Sequence, residues 1–183
     1  GLQSENPQIA TVEPQNDSKA ILITGNSVGN TSIYLRDLKY PDNYAEIKVI
    51  SDYLSGKFIE KGDSSNTWIN GDDLHIREII ESELRGIAKS RSGILYSFDK
   101  DTKAVEIDYS SSDYDNNKKV GTYEWDKDSL TLNFNNNISK HGFAVVNDHA
   151  IIIVLDFTEK YKSKYPNASV RGAKIQCFLS AIE

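Results

Sequence analysis

Hydrophobic and polar positions recur along this chain with two different periods. Behind Asn70-Gly71-Asp72-Asp73, Ile76, Ile79, Ile80, Leu84 and Ile87 return at helical spacing, with Arg77, Glu78, Glu81, Ser82, Arg85 and Lys89 on the other side. Asn70 or Asp72 can accept from the free N–H groups of a first turn. The pattern predicts one long amphipathic helix lying on a sheet and ending near Ser90–Gly93.

Elsewhere the period is two. Tyr96–Ile107 and Tyr123–Phe134 match at an offset of 27 residues, each reading as an alternating aromatic strand, a polar Asp-Lys-Asp turn and a second alternating strand. Ile94, Tyr96 and Phe98 share a face, as do Val105, Ile107 and Tyr109, Tyr123 and Trp125, and Leu130, Leu132 and Phe134. Such alternation means one face buried and one wet. Two hairpins in succession make a four-stranded antiparallel meander, joined by the polar loop Ser110–Lys119. A third hairpin follows about Asn147-Asp148, from Gly142–Asn147 to His149–Phe157. The run Ile151–Leu155 lacks alternation and suits a central strand covered on both faces. Glu159–Tyr165 reads as a helical turn, and Val170–Ile182 closes the chain with Ile175, Cys177 and Leu179 on one face.

Ahead of the helix, Lys19–Thr24, Ser32–Leu38, Tyr44–Ile50, Ser55–Glu60 and Asn66–Ile69 are short strand candidates. Residues 1–18 hold two of the four prolines and no apolar period, and read as a flexible tail or tether. Residues 19–183 read as one β-rich domain, within which 19–70 can form an N-terminal β subdomain. The fold class is therefore α+β: an antiparallel meander, open or partly closed into a barrel, with one long helix packed on it.

Composition narrows the functions. With 183 residues, 26% of them charged and 38% hydrophobic, the chain can bury a substantial core. A net charge of −6 and the absence of a large basic cluster argue against nucleic acid as a partner. The longest apolar run, Ala150–Leu155, is too short to span a membrane. A single cysteine, Cys177, excludes an internal disulfide and a Cys-based zinc site, and reads as a small buried hydrophobe. His75, His141 and His149 show no ligand spacing, and no phosphate-cradling or nucleophile motif occurs. No metal, cofactor or catalytic residue is expected, and the chain reads as a non-enzyme.

Two features stand out chemically. The Asp-x-Asp pairs at Asp99/Asp101 and Asp126/Asp128 fit hairpin turns, where Asp bonds its own backbone. The third pair lies in the long loop Asp108–Asn117, making Asp113, Tyr114 and Asp115 candidate binding residues. Glu83 falls inside the apolar stripe of the helix, with no cation on its own helix to pair with. It must find a tertiary donor, titrate upward or escape to the rim. It is the fourth candidate. Gly86, one turn along, suggests a close backbone approach.

The order of a helix followed by a meander is similar to type IV pilin-like subunits, although 72 residues precede the helix here. Gly121-Thr122-Tyr123 and Leu130-Thr131-Leu132 are similar to segments of bacterial lipocalin-like barrels. Neither resemblance covers a diagnostic motif, and no family is assigned on them. The leading expectation is a non-enzymatic binding or interaction module, secreted or surface-tethered, that recognises a protein or glycan through exposed tyrosines. The alternatives are a pilin-like subunit of a surface assembly, a lipocalin-like barrel for a small ligand and, most distantly, a hydrolase using a buried Glu83.

Overall fold

The computed structural model describes residues 1–15, 20–126, 128–147 and 149–182. The expected strand start at Lys19, the end of the expected tail at 16–18, and turn residues Lys127 and Asp148 lie outside them. The chain divides into two compact units, Gly1–Tyr53 with Trp125–Asp128, and Leu54–Glu124 with Ser129–Glu183.

Among its described residues the first unit contains five strands. β1 (Leu2–Ser4), β4 (Gly29–Arg36) and β5 (Tyr44–Ser51) form one antiparallel sheet in the order β1-β4-β5, while β2 (Ala10–Pro14) and β3 (Ile21–Gly25) form a two-stranded ribbon. Residues 1–15 are thus not a tail. The extended chain there lacks an apolar period because its pairing rests on backbone ladders, Leu2 to Ser4 against Leu35 to Ile33 and Ala10 to Pro14 against Gly25 to Ile21. Side chains tie them further: Ser4 Oγ donates to the Ala10 carbonyl, and Asn26 Nδ2 to the Pro7 carbonyl.

The second unit is a closed eight-stranded antiparallel barrel with two helices. Its strands are β6 (Gly56–Glu60), β8 (Leu95–Asp99), β9 (Ala104–Asp108), β10 (Lys118–Asp126), β11 (Ser129–Phe134), β12 (Asn137–Asn147), β13 (Ala150–Asp156) and β14 (Gly172–Ile182). From β8 to β14 each strand pairs with the next in sequence, and β6 closes the ring between β8 and β14. The expected meander is therefore real, and longer than four strands. β7 (Asn66–Asn70) pairs with residues 172–176 of β14, while β6 pairs with residues 179–182 on the same edge. One 11-residue strand thus has two shorter partners end to end.

Period-two alternation fixes which side chains turn inward. Phe58, Tyr96, Phe98, Val105, Ile107, Tyr123, Leu130, Leu132, Phe143, Ile151, Ile153, Ile175, Cys177 and Leu179 are all buried. Ile152 and Val154 are half-buried, so the unbroken apolar run of β13 has one core face rather than two. The β11–β12 hairpin turns through Asn135 and Asn136, both at positive φ (52° and 66°), as a tight two-residue turn demands. At Gly121, β10 runs so close to β11 that a Cβ would lie 2.1 Å from the Asn133 carbonyl oxygen.

α1 (Leu74–Ser90) follows β7. Asp73 caps it by accepting from the Ile76 N–H at 3.0 Å, and Ile80, Leu84 and Ala88 bury its inner face. The stripe sits one notch further along than the sequence pattern suggested, because Ile76, Ile79 and Ile87 are only half-buried. Gly86 is exposed, with nothing within 4 Å of a Cβ placed there, so no backbone approaches it. The predicted turn after β13 is α2 (Thr158–Lys164), and its Tyr161 is fully buried. No helix is long and apolar enough to cross a membrane among the described residues.

Candidate functional site

The strand parity that fills the barrel also exposes its exceptions. Glu60 shares its face of β6 with Phe58, and its side chain is wholly inaccessible to solvent. Arg91, the first residue after α1, lies four and seven positions beyond Ile87 and Leu84, on the helix's inner side. It is only 5% exposed.

These two residues pair inside the barrel. Arg91 Nε donates to Glu60 Oε1 at 2.8 Å and Nη2 to Oε2 at 2.9 Å, a two-pronged carboxylate–guanidinium contact. The Tyr96 hydroxyl completes a ring, accepting from Arg91 Nη2 at 2.8 Å and donating to Glu60 Oε2 at 2.9 Å. Burial alone would drive the guanidinium toward its neutral form, but the charge of the Glu60 carboxylate and the hydrogen bonds to it hold the group charged. Burial, and then Glu60, push the Tyr96 hydroxyl far above its ordinary range, so it stays protonated. The same two causes, in the same order, raise the Cys177 thiol, which is 1% exposed. A thiol so placed is a packing group and not a nucleophile.

Above this ring the barrel interior is not filled. A cavity of about 190 Å³ is walled on one side by Ile107, Leu132, Phe134, Ile153 and Leu155. Polar groups complete the lining: Arg91, Tyr96, Tyr109, Lys119, Asn137, Ser139 and His141. His141 Nε2 lies 3.0 Å from Ser139 Oγ. Desolvation, assisted by the charge of Arg91, lowers the His141 pKa, and hydrogen bonding with the Val154 backbone opposes this more weakly. The imidazole is therefore neutral at pH 7.

The loop between β9 and β10 borders this end of the barrel. The Tyr114 ring stacks on Tyr109 with centroids 6.1 Å apart, and the Arg91 guanidinium carbon lies 4.8 Å from the Tyr114 centroid. Lys119 Nζ lies 5.3 Å from the Tyr109 centroid. The Asp113 N–H donates to the Ser90 carbonyl at 3.0 Å, satisfying one of the carbonyls a helix leaves open at its C-terminus. Gly93, at φ 95°, lets the loop in: a Cβ there would sit 2.5 Å from the Ser111 carbonyl oxygen.

The four sequence-chosen residues are thus split. Tyr114 touches Arg91. Asp113 joins the loop to α1 through its backbone, and Asp115 spends its carboxylate on the loop itself, accepting from the Asn116 N–H at 2.7 Å and Asn117 Nδ2 at 2.9 Å. Glu83 lies elsewhere. Its carboxylate accepts from Lys164 Nζ at 2.5 Å on the helical flank, and both side chains are substantially exposed. That hydrogen bond holds its carboxyl below the ordinary range, against a smaller upward push from burial. The reading of Glu83 as the buried acid of a hydrolase is corrected accordingly: α2 supplies the tertiary donor that α1 lacks. As expected for a turn, Asp99 accepts from the Asp101 and Thr102 N–H groups. No group of three or more His, Cys, Asp or Glu side chains is placed to hold a metal among the described residues.

Glu60, Arg91, Lys119 and His141 escaped the sequence reading. The signal was nevertheless present, as a charged or titratable residue on the apolar parity of its element. Glu60 alternates with Phe58, His141 with Phe143, and Arg91 continues the stripe of Leu84 and Ala88. The rule that singled out Glu83 applied with more force to these.

No family model, curated protein or solved structure matches this chain.

Proposed function

We propose that the second unit is a small-ligand-binding barrel, the lipocalin-like alternative among the sequence expectations. One observation carries the reading: the barrel is closed, yet one end keeps an unfilled cavity with an apolar wall and a convergent set of polar groups. Binding sites have that mixed lining, whereas a void in a purely structural core is apolar and small. The volume of about 190 Å³ equals roughly six water-sized volumes, which suits a ligand smaller than most drug-like molecules. Isothermal titration calorimetry with 1-octanol as probe tests it. Saturable binding is expected, with loss of binding in a Ser139→Trp variant that keeps its melting temperature, since the indole fills the cavity. Absence of binding by octanol and by its carboxylate analogue would overturn the reading.

A second reading, recognition of a protein or glycan partner, draws on the first unit. There the Arg36 guanidinium sits 5.2 Å from the Tyr34 centroid and 5.1 Å from that of Tyr44, and Tyr40 and Tyr44 are exposed. An exposed aromatic cluster of this type provides rigid contact area. Secreted or surface placement belongs with this reading, and cell fractionation with an antibody to the chain tests it.

A further inference from the structure

Resting on the small-ligand reading of the barrel, we infer that its cavity selects a monoanionic ligand of carboxylate type, whose apolar body lies against Leu132, Phe134 and Ile153 and whose head meets Arg91 and Lys119. The charge arrangement supports this. Two cationic side chains line the cavity, and no carboxylate does. Glu60 lies behind Arg91 and engages its Nε and Nη2. Neither contact with Glu60 uses Nη1. Among the described residues Lys119 makes no ion pair, and its Nζ lies 5.3 Å from the Tyr109 centroid. The nearest loop carboxylate, Asp115, is turned to Asn116 and Asn117.

A guanidinium lining a partly apolar pocket gains more from an anion than from a neutral group. The Glu60–Arg91–Tyr96 ring fixes the direction of that guanidinium, so a ligand does not bear the cost of ordering it. Glu60 cancels one of the two positive charges, which leaves a net charge of about +1 and favours a monoanion over a dianion. Asn137 and Ser139 add neutral hydrogen-bonding groups on the opposite strand for the second oxygen of the head. The Tyr114 ring lies against Arg91, 4.8 Å from the guanidinium carbon, and helps to hold its direction.

The test compares octanoate, 1-octanol and octylammonium, which share one body and differ in the charge of the head, by calorimetry on the full chain at pH 7.5. Octanoate is expected to bind at least about tenfold tighter than octanol, the worth of a charge-assisted contact, and octylammonium is not expected to bind. Replacing Arg91 risks the fold, so the diagnostic variant is Lys119→Gln at an exposed mouth position. It should weaken octanoate about tenfold and leave octanol unchanged. Equal binding of all three, or a Lys119→Gln effect that is absent or the same for octanoate and octanol, would overturn the anion preference while leaving the cavity reading intact. Failure of all three to bind would remove both.

Discussion

The two units use the same alternating strands to different ends. In the barrel, every strand has two neighbours, and the inward parity of eight strands converges on one interior. Of the 26 apolar side chains buried among the described residues, 24 belong to the second unit, its helices included, and Ala10 and Ile33 belong to the first. In the first unit the sheets are open, and much of their apolar surface stays wet: Ile50 is 77% exposed, and Leu22, Leu38, Tyr40 and Tyr44 are exposed as well. Closure, more than hydrophobic content, decides how much of an alternating pattern becomes core. It also decides where chemistry can hide. Among the described residues, the buried ion pair Glu60–Arg91 belongs to the closed unit.

The largest expected effect tests that shelter. Arg91→Met leaves the Glu60 carboxylate buried without its cation, which should cost about 3–5 kcal/mol in urea unfolding. Adding Glu60→Leu and Tyr96→Phe, so that no buried polar group lacks a partner, should restore most of the loss. A cost below about 1 kcal/mol for the single variant would mean that the ring is solvated, against its burial here. The next effect contrasts core with surface. Leu130→Ala in the barrel should cost about 2–5 kcal/mol, and Ile50→Ala in the first unit less than about 0.5 kcal/mol. Similar costs at the two positions would show that the open sheets hide more apolar surface than their exposure indicates.

Most of the barrel was legible in the sequence, because its strands alternate strongly and its turns carry Asp and Asn. Ile94, Tyr96 and Phe98, and likewise Leu130 and Leu132, bury as their parity requires. The helix was legible too, with its end near Ser90, although its cap is Asp73 rather than the expected Asn70 or Asp72. β1 and β2 were not. Short strands held by ladder bonds and a few side-chain ties leave no period to read. Closure was illegible for a different reason: the pairing of β14 with β13 on one edge and with β6 and β7 on the other is a property of register between distant segments. The cavity depended on that closure. Tyr114 was found through its polar loop, whereas Glu60, Arg91 and His141 become a site only when three elements meet.

A smaller effect concerns pH. The folded state lowers the His141 pKa from its ordinary 6.5, so the unfolded chain takes up the proton more readily. The sign follows from linkage: the His141 contribution to stability is complete above pH 6.5 and is lost as pH falls below it, through the lowered folded value. Urea midpoints at pH 7.5 and 5.5 should therefore differ less in His141→Gln than in the parent chain. An equal difference in both would mean that His141 is solvated in the folded state. Least of all, Glu83→Gln should change stability by no more than about 0.5 kcal/mol, since its ion pair with Lys164 is exposed to solvent.

The central claim, that the end cavity of the closed barrel is the small-ligand site, is tested most directly by titrating octanoate into the ¹⁵N-labelled chain and following its amide shifts. The account predicts saturable shifts confined to Tyr109–Tyr114, Lys119 and the Asn137–His141 segment of β12, with the amides of residues 2–50 unmoved. Shifts concentrated in residues 2–50, or none at saturating octanoate, would contradict it.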